Sequence, residues 1–195
     1  MTSAGGSGSR RTDKRQAILD GTERLMLSDG YGAITYRSVA TAAGVTAGLV
    51  QYYFPSLEEL FIAVLRESTD RLVERLTGAA GAAQPLRAVW AYVNNPGGTA
   101  LLMQFMALSN QVPEVAKVIG EGGERVRSLL LQTLSAKWAD YGLADTDLTP
   151  GAALFLLSAI PRMTYLEESL GTVTGHEDAM TLVERFLDRV EPRSD

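Results

Sequence analysis

Three side chains in one short stretch carry groups that could read a base pair: the hydroxyl of Thr46, the methyl of Ala47 and the carboxamide of Gln51. A carboxamide can pair with the edge of adenine, and a methyl group can contact the methyl of thymine. Their spacing places all three on the outer side of a helix if an apolar side faces inward. The inward residues would be Val45, Leu49 or Val50. This stretch therefore predicts a short helix whose polar side can meet a nucleic acid.

A second short helix is predicted just before it. Thr35 supplies a hydroxyl N-cap, and apolar residues then recur at helical spacing as far as Ala43. Gly44 follows where a helix ends in a left-handed residue, and Thr46 can cap the next helix. The small residues expected to let the two helices cross closely are Ala40, Ala43 and Gly48. This pattern is typical of a helix-turn-helix, whose second helix enters the major groove of DNA.

The run from Arg11 to about Leu65 resembles the DNA-binding domain of the tetracycline-repressor (TetR) family. The matching positions are Ile18-Leu19, Gly30-Tyr31, Thr35, Val39-Ala40, Ala43-Gly44-Val45, Gly48, Tyr52-Tyr53-Phe54, Ser56 and Glu58-Glu59-Leu60. The resemblance implies a ligand-responsive, DNA-binding transcriptional regulator. In such a protein a homodimer represses by binding a near-palindromic operator of double-stranded DNA, and a small, largely apolar effector releases it. The remainder of the chain fits this family in length and helical pattern.

The same resemblance implies which residues meet DNA: Thr35, Arg37, Thr46, Ala47, Gln51, Tyr52 and Tyr53. Arg37 would reach a base or a phosphate, with a salt bridge on the helix surface as the alternative. Tyr53 would bind a phosphate through its hydroxyl, and Tyr52 would either do the same or pack. Two positions depart from the family pattern, since Gln51 replaces a common tyrosine and Leu57 replaces a common lysine. Both departures are expected to weaken the hold on phosphates.

Charge is distributed unevenly along the chain, whose net charge is −5. Residues 1–54 contain six Lys and Arg against four Asp and Glu, or +2, whereas residues 55–195 contain twelve against nineteen, or −7. A basic cluster from Arg10 to Arg15 either starts the first helix in solvent or forms an arm that reaches phosphates or the minor groove. We expect modest non-specific affinity for DNA and strong sensitivity to salt.

The predicted fold class is all-α, because helical periodicity recurs throughout and no strand-like alternation is present. We expect a disordered tail over 1–10, a helix-turn-helix domain over 11–56 and a ligand-binding and dimerisation domain over 57–195. The first helix is predicted from about Thr12 to Ser28, and residues 94–98 are predicted to separate two later helices. Pro161 is expected to kink or break the helix that opens at Thr149-Pro150.

Two sites in the second domain follow from the resemblance. An effector pocket is expected among helices between about residues 85 and 170, with Trp90, Gln104, Phe105, Met106, Phe155, Arg162, Met163 and Tyr165 as candidate lining residues. Core packing is the alternative for each aromatic residue or methionine among them. A dimer interface is expected from the last two helices, through Leu154, Leu157, Leu182, Phe186 and Val190. These residues offer more apolar surface than a terminal helix pair usually buries alone.

Catalysis is not expected. The chain has no cysteine, so thiolate nucleophiles, disulfides and cysteine-zinc sites are excluded. The single histidine, His176, is predicted to be a solvated residue at a helix start, and the adjacent carboxylates Glu58-Glu59 and Glu167-Glu168 are predicted to lie on solvated faces. No phosphate loop, cofactor site or metal site is predicted. The alternative to a regulator is a helical ligand-binding or interaction module with little DNA binding.

Membrane insertion and export are not expected either. The longest apolar run, residues 152–160, is too short to span a bilayer. Residues 1–9 lack the apolar segment of a signal peptide. A soluble protein of the cytoplasm is therefore predicted.

Overall fold

The computed structural model describes residues 6–79 and 84–193, and all regular elements in these ranges are helices. The all-α fold class is confirmed for this part of the chain. The helices are α1 (Gly6–Asp29), α2 (Tyr36–Ala43), α3 (Ala47–Tyr53), α4 (Leu57–Ala79), α5 (Pro85–Val93), α6 (Pro96–Ser109), α7 (Pro113–Lys137), α8 (Pro150–Glu168) and α9 (His176–Val190). A short 3₁₀ helix, Tyr31–Ala33, joins α1 to α2. None of the described helices combines the length and apolar composition needed to cross a lipid bilayer.

Two helix starts differ from the prediction. Helix α1 begins at Gly6, inside the predicted tail, whose residues 1–5 lie outside the described residues. Helix α6 begins at Pro96 and includes Gly97 and Gly98, which were predicted to form a loop. Proline is well suited to the first turn of a helix, because the amide it lacks would have no intrahelical partner there.

The chain forms two compact units. The first contains residues 1–69 and 101–122, and the second contains residues 70–100 and 123–195. Packing therefore groups part of α4, most of α6 and the first part of α7 with the helix-turn-helix. The division by function at residue 56 stays a prediction, since it concerns what each part binds.

In the first unit, α1 crosses α2 at Gly21. A Cβ atom built on Gly21 would lie 3.1 Å from the backbone nitrogen of Ala43 and 3.2 Å from the carbonyl carbon of Ala42. The Arg24 guanidinium donates to the Ala42 carbonyl at 2.9 Å and fastens the same crossing. Gly48, which was predicted to permit a close crossing, has no atom within 4 Å of such a Cβ. The glycine that permits a close helix crossing is therefore Gly21 on α1.

The core of the first unit lies under these helices. Its buried residues include Ile18, Leu19, Met26, Val39, Val50, Phe54, Leu60, Val64 and Phe105. Gly122 of α7 approaches α4 closely here, since a Cβ on it would lie 3.1 Å from the Thr69 hydroxyl. Gly120 and Gly123 have no such neighbour, although α7 runs continuously through all three glycines.

The second unit has its own core, which includes Leu86, Val89, Trp90, Leu134, Leu154, Leu157, Val183 and Leu187. The start of α5 is capped by Glu191, a residue more than a hundred positions away in sequence. Its carboxylate accepts from the backbone amides of Leu86 at 3.0 Å and Arg87 at 2.8 Å, and it also accepts from the Tyr141 hydroxyl. Glu191 is 3% exposed. Buried carboxylates need such partners, because water no longer solvates their charge.

Pro161 was predicted to kink or break α8. The helix continues through Pro161, so a break is wrong, whereas a kink stays a prediction. Pro161 is buried on the inner side of α8 with Ala153, Leu154 and Leu157. Proline removes one backbone hydrogen bond from a helix interior but keeps a helical φ. Burial of this apolar side holds the helix together across the missing bond.

Candidate nucleic-acid interface

The turn between α2 and α3 has the predicted geometry. Thr35 caps α2 by accepting from the Ser38 amide at 3.0 Å, and the Ser38 hydroxyl accepts in return from the Thr35 amide at 2.9 Å. Gly44 ends α2 in the left-handed region with φ of 65°. The Val45 amide donates back to the Ala40 carbonyl at 2.9 Å, which closes a Schellman turn. The prediction of Thr35 as a cap and Gly44 as a left-handed residue is confirmed.

Helix α3 is anchored through its inner side. Val50 is fully buried and Phe54 is 4% exposed, whereas Leu49 and Val45 are partly buried. The open question of which apolar residue faces inward is answered by Val50. Gln51 and Tyr52 are consequently turned outward, and Tyr52 is 67% exposed.

Two of the residues predicted to contact DNA, at the start of α3, contribute to the local structure. The Thr46 hydroxyl is exposed and accepts from the Leu49 amide at 3.3 Å, as expected of an N-cap. The Ala47 methyl is partly buried against the core of the first unit, which reduces what it can offer to a thymine methyl. Sequence spacing could not reveal this, because it depends on how deeply α3 packs against the core of the first unit.

Arg37 lies on the exposed surface of α2. Within residues 6–79 and 84–193, its guanidinium is in no recorded ion pair, so the alternative of a helix-surface salt bridge is not what this structure contains. The Thr35 hydroxyl beside it accepts from the Ser38 amide and donates to the Ser38 hydroxyl at 3.0 Å. The Arg37 guanidinium is therefore available to donate to a partner, whereas the Thr35 hydroxyl already donates its proton to Ser38.

Two tyrosine hydroxyls tie the ends of the motif together. Tyr53 donates to the backbone carbonyl of Arg11 at 3.1 Å, and its ring packs edge-on against Tyr52. Tyr36 lies with its hydroxyl 2.8 Å from the Pro55 carbonyl and 3.2 Å from that of Phe54. Sequence reasoning missed both bonds, because their partners are 18 to 42 positions apart and no local pattern signals them.

The residues predicted to line an effector pocket are divided between the two units. Trp90 and Phe105 are buried in the cores of different units. Gln104 belongs to the first unit, where its side-chain oxygen accepts from the Tyr31 amide at 3.1 Å. Three others are largely exposed: Met106 (47%), Phe155 (59%) and Met163 (49%). For Trp90 and Phe105 the alternative of core packing is the one observed, because both lie inside dense apolar clusters.

Arg162 is partly buried on α8. Burial lowers the pKa of its guanidinium below the usual range, and the neighbouring charge of Arg127 lowers it further. Tyr92 lies near the same cation, and burial raises the pKa of that phenol. Burial and the nearby charge of Arg127 therefore both disfavour the cationic form of Arg162.

The second unit contains a cavity of about 520 Å³. It is lined by Asn94, Asn95, Pro96, Thr99, Pro161, Thr164, Tyr165, Glu168, Val173, His176, Glu177 and Met180. Tyr165 is the predicted pocket residue that lines it. The lining contains two carboxylates and no lysine or arginine. The two carboxylates could pair with a cationic group, while the apolar side chains of the lining could pack against an apolar one.

His176 is not the solvated residue that was expected. Its side chain is 14% exposed, and Nε2 lies 2.7 Å from a carboxylate oxygen of Glu167. Nδ1 is buried without a hydrogen-bond partner and lies 3.9 Å from Glu168. The loop between α8 and α9 returns His176 onto the end of α8, which explains both the burial and the pairing. Among the described residues there is no group of three or more side chains that could hold a metal ion.

Two of the residues predicted to form the dimer interface are buried inside the second unit. Leu154 (3% exposed) and Leu157 (5%) belong to the core of the second unit, so they are not available to a partner. The exposed apolar side chains of α8 and the following loop are Phe155, Leu156, Met163, Leu166, Leu170 and Val173. On α9, Leu182 is 69% exposed, whereas Phe186 and Val190 pack partly against the core. Apolar residues lie on both sides of α8, and sequence alone did not separate them.

Helix α2 is capped, ends at a glycine and packs on α1. Helix α3 packs on α2 and has an outward polar side, and this pair of short helices defines a helix-turn-helix protein. Residues 18–64 match the family model described as bacterial regulatory proteins, tetR family. Over these residues, which include the helix-turn-helix, the chain is similar to the TetR family.

Curated relatives agree with this assignment over part of their length. The transcriptional repressor AcnR of Corynebacterium glutamicum is 35% identical over 68 residues, which cover 35% of this chain and 36% of that protein. The transcriptional regulator BetI of Rhizobium meliloti is 30% identical over 132 residues, which cover 63% of this chain and 65% of that protein. The matches thus span less than two thirds of these relatives.

Solved structures extend the likeness in fold to almost the whole chain. A putative TetR-family regulator from Mesorhizobium loti has a TM-score of 0.69 at 20% identity and covers 93% of this chain and 95% of its own. A putative transcriptional regulator from Saccharomonospora viridis, solved in complex with choline, has a TM-score of 0.73 at 16% identity, with coverages of 91% and 96%. At these identities the likeness concerns the fold.

Proposed function

We propose that this protein is a DNA-binding transcriptional regulator that recognises a near-palindromic operator as a homodimer and acts in the cytoplasm as a repressor. The observation that carries the proposal is the outward side of α3, where Gln51 and Tyr52 are exposed while Val50 is fully buried. The helix-turn-helix relatives support the same role. An interaction module without DNA binding would have no need for a recognition helix with an open polar side.

Gln51 and Arg37 are the residues proposed to read or hold the operator. The Gln51 carboxamide can form two hydrogen bonds with adenine, and the arginine fork can bridge two acceptors of guanine or hold a phosphate. Both side chains are exposed. Loss of a base contact would relax the preference at one position of each half-site, whereas loss of a phosphate contact would weaken binding to all sequences alike.

The test is selection of the purified protein against random duplexes, followed by operator affinities of Gln51→Ala and Arg37→Ala. Each is expected to weaken operator binding by about 1–3 kcal/mol if it removes a base contact. Gln132→Ala and Arg125→Ala are matched controls on exposed positions of α7 and should bind like the parent. Failure of folded parent protein to enrich any sequence would favour the interaction module.

The homodimer is proposed to form through the exposed apolar side of α8 together with Leu182 of α9. Large exposed apolar patches mark association sites in water-soluble proteins. A two-fold axis would then present two copies of α3 to one operator. Leu182→Lys is expected to shift sedimentation toward the monomer, while Leu131→Lys on α7, also exposed, should leave it unchanged. Equal behaviour of the two variants would reject this surface.

The effector is proposed to bind the cavity of the second unit. Because Glu168 and Glu177 line it without a compensating lysine or arginine, we expect a small molecule with a cationic group, in place of the largely apolar effector first expected. Butylammonium and butyrate, which match in carbon number, serve as probes in calorimetry and in operator release. Binding of the cation alone, lost in Glu168→Gln with Glu177→Gln, would support the assignment, and equal or absent binding of both probes would reject it.

A further inference from the structure

The first described turns of α1 carry a basic stripe, which we define as Arg11, Lys14 and Arg15. These residues precede Ile18 by seven, four and three positions, so all four lie on one side of the helix. Ile18 is fully buried, whereas the three basic residues are exposed. The basic stripe therefore continues the inner side of α1 beyond the end of the core.

Two contacts show what lies beside the basic stripe. The Tyr53 hydroxyl donates to the Arg11 carbonyl at 3.1 Å, and the Arg15 guanidinium lies 5.5 Å from the centre of the Phe54 ring. Tyr53 is the last residue of α3, and Phe54 is its C-cap. The basic stripe is thus fastened to the end of the helix that carries Gln51.

The acidic and basic side chains of these turns lie on different sides of α1. Asp13 is about 200° around the helix from Arg11, so it lies away from the basic stripe. In the part of the chain that the structure describes, no ion pair is recorded for Arg11 or Lys14. Three exposed cations beside a recognition helix complement the phosphates that flank a major groove.

The direction of the Tyr53 hydrogen bond decides the role of that residue. Phosphate diester oxygens only accept, so a hydroxyl that binds one must donate its single proton. Tyr53 already donates that proton to the Arg11 carbonyl. A direct phosphate bond would require this contact to break.

We propose that Tyr53 is a positioning residue and that the basic stripe of Arg11, Lys14 and Arg15 contacts the DNA phosphates flanking the bases read by α3. The inference rests on the proposed function, and it replaces the direct phosphate contact expected of Tyr53. The sugar–phosphate backbone is the ligand, so these contacts contribute equally on operator and unrelated duplexes.

The test is a double-mutant cycle of Lys14→Ala and Tyr53→Phe, with dissociation constants measured over a range of salt on the selected operator and on an unrelated duplex. Each lost phosphate contact should lower the slope of log affinity against log salt by about 0.9, which is roughly a threefold change between 50 and 200 mM salt. Lys14→Ala should lower the slope on both duplexes. Tyr53→Phe should lower the slope too, although it removes no charge, because the basic stripe would lose a contact that positions it. Lys14→Ala should therefore lose less binding free energy in the Tyr53→Phe background than in the parent protein.

Lys117→Ala is the charge-matched control, because Lys117 is exposed on α7 and pairs with Glu114. Thermal unfolding of every variant shows whether the fold is retained. An unchanged slope in Lys14→Ala would overturn the phosphate contact, and fully additive effects would overturn the positioning role of Tyr53. A parent protein that binds unrelated duplex with the expected slopes but prefers no sequence would contradict the proposed function while leaving the basic stripe supported.

Discussion

Replacing Glu191 by alanine is expected to destabilise the second unit strongly, because this one side chain caps α5 from the far end of the chain. The carboxylate accepts from the Leu86 amide at 3.0 Å, the Arg87 amide at 2.8 Å and the Tyr141 hydroxyl. The Leu86 amide is in a buried setting, so alanine would leave it without water or a protein partner. The negative charge also lies at the start of a helix, where the dipole favours it.

The magnitude follows from these three bonds. An unsatisfied buried donor costs about 1–3 kcal/mol, and the two partly buried donors regain some hydration and cost roughly 1 kcal/mol each. Glu191→Ala should therefore lower the free energy of unfolding by about 3–5 kcal/mol. Glu191→Gln keeps one acceptor oxygen but places the NH₂ of its carboxamide against a donor. We therefore expect the free energy of unfolding to fall by about 1–2 kcal/mol.

Urea unfolding followed by circular dichroism measures both losses. The protomer concentration is held constant, because association would otherwise alter the apparent stability. Glu124→Gln is the control, because it removes the same charge from an exposed position on α7. A loss for Glu191→Ala no larger than that of the control would refute the capping argument. A loss in Glu191→Gln equal to that in Glu191→Ala would show that the charge, and not the number of accepted bonds, carries the stability.

Three further changes have defined outcomes. Gly21→Ala should destabilise the first unit by roughly 1–3 kcal/mol, because the added Cβ would lie 3.1 Å from the Ala43 backbone nitrogen. Gly48→Ala has open space around the added Cβ, so it should be neutral or stabilising in the same thermal unfolding experiment. Tyr36→Phe should cost about 1 kcal/mol by removing the hydroxyl bond to the Pro55 carbonyl, and hydrogen exchange should rise at the end of α3. Burial and the bond to Glu191 raise the pKa of Tyr141 above its ordinary 10.0, so the stability it contributes is present below pH 10.0 and is lost as pH rises above that value. A pH series of unfolding should show a smaller decline in Tyr141→Phe, and identical declines would contradict the assignment.

The helix-turn-helix could be predicted in detail because its determinants are local. Thr35, Gly44 and Thr46 act on amides and carbonyls within a few residues, so their roles can be read from spacing. The outward position of Gln51 follows from one further fact, the burial of Val50. The similarity to the TetR family over residues 18–64 rests on the same local pattern.

Sequence by itself determined the all-α class and the caps of the recognition motif, because periodicity and capping are local properties of the backbone. Tertiary structure alone decided which side of α8 is buried, where Leu154 and Leu157 face the core and Phe155 and Met163 do not. Both sides are apolar, so periodicity could not choose between them. The Tyr53 bond to Arg11 and the Glu191 cap on α5 likewise join residues 42 to 105 positions apart. Such contacts exist only after the helices pack, because no hydrogen-bonding group in one segment specifies its distant partner in another.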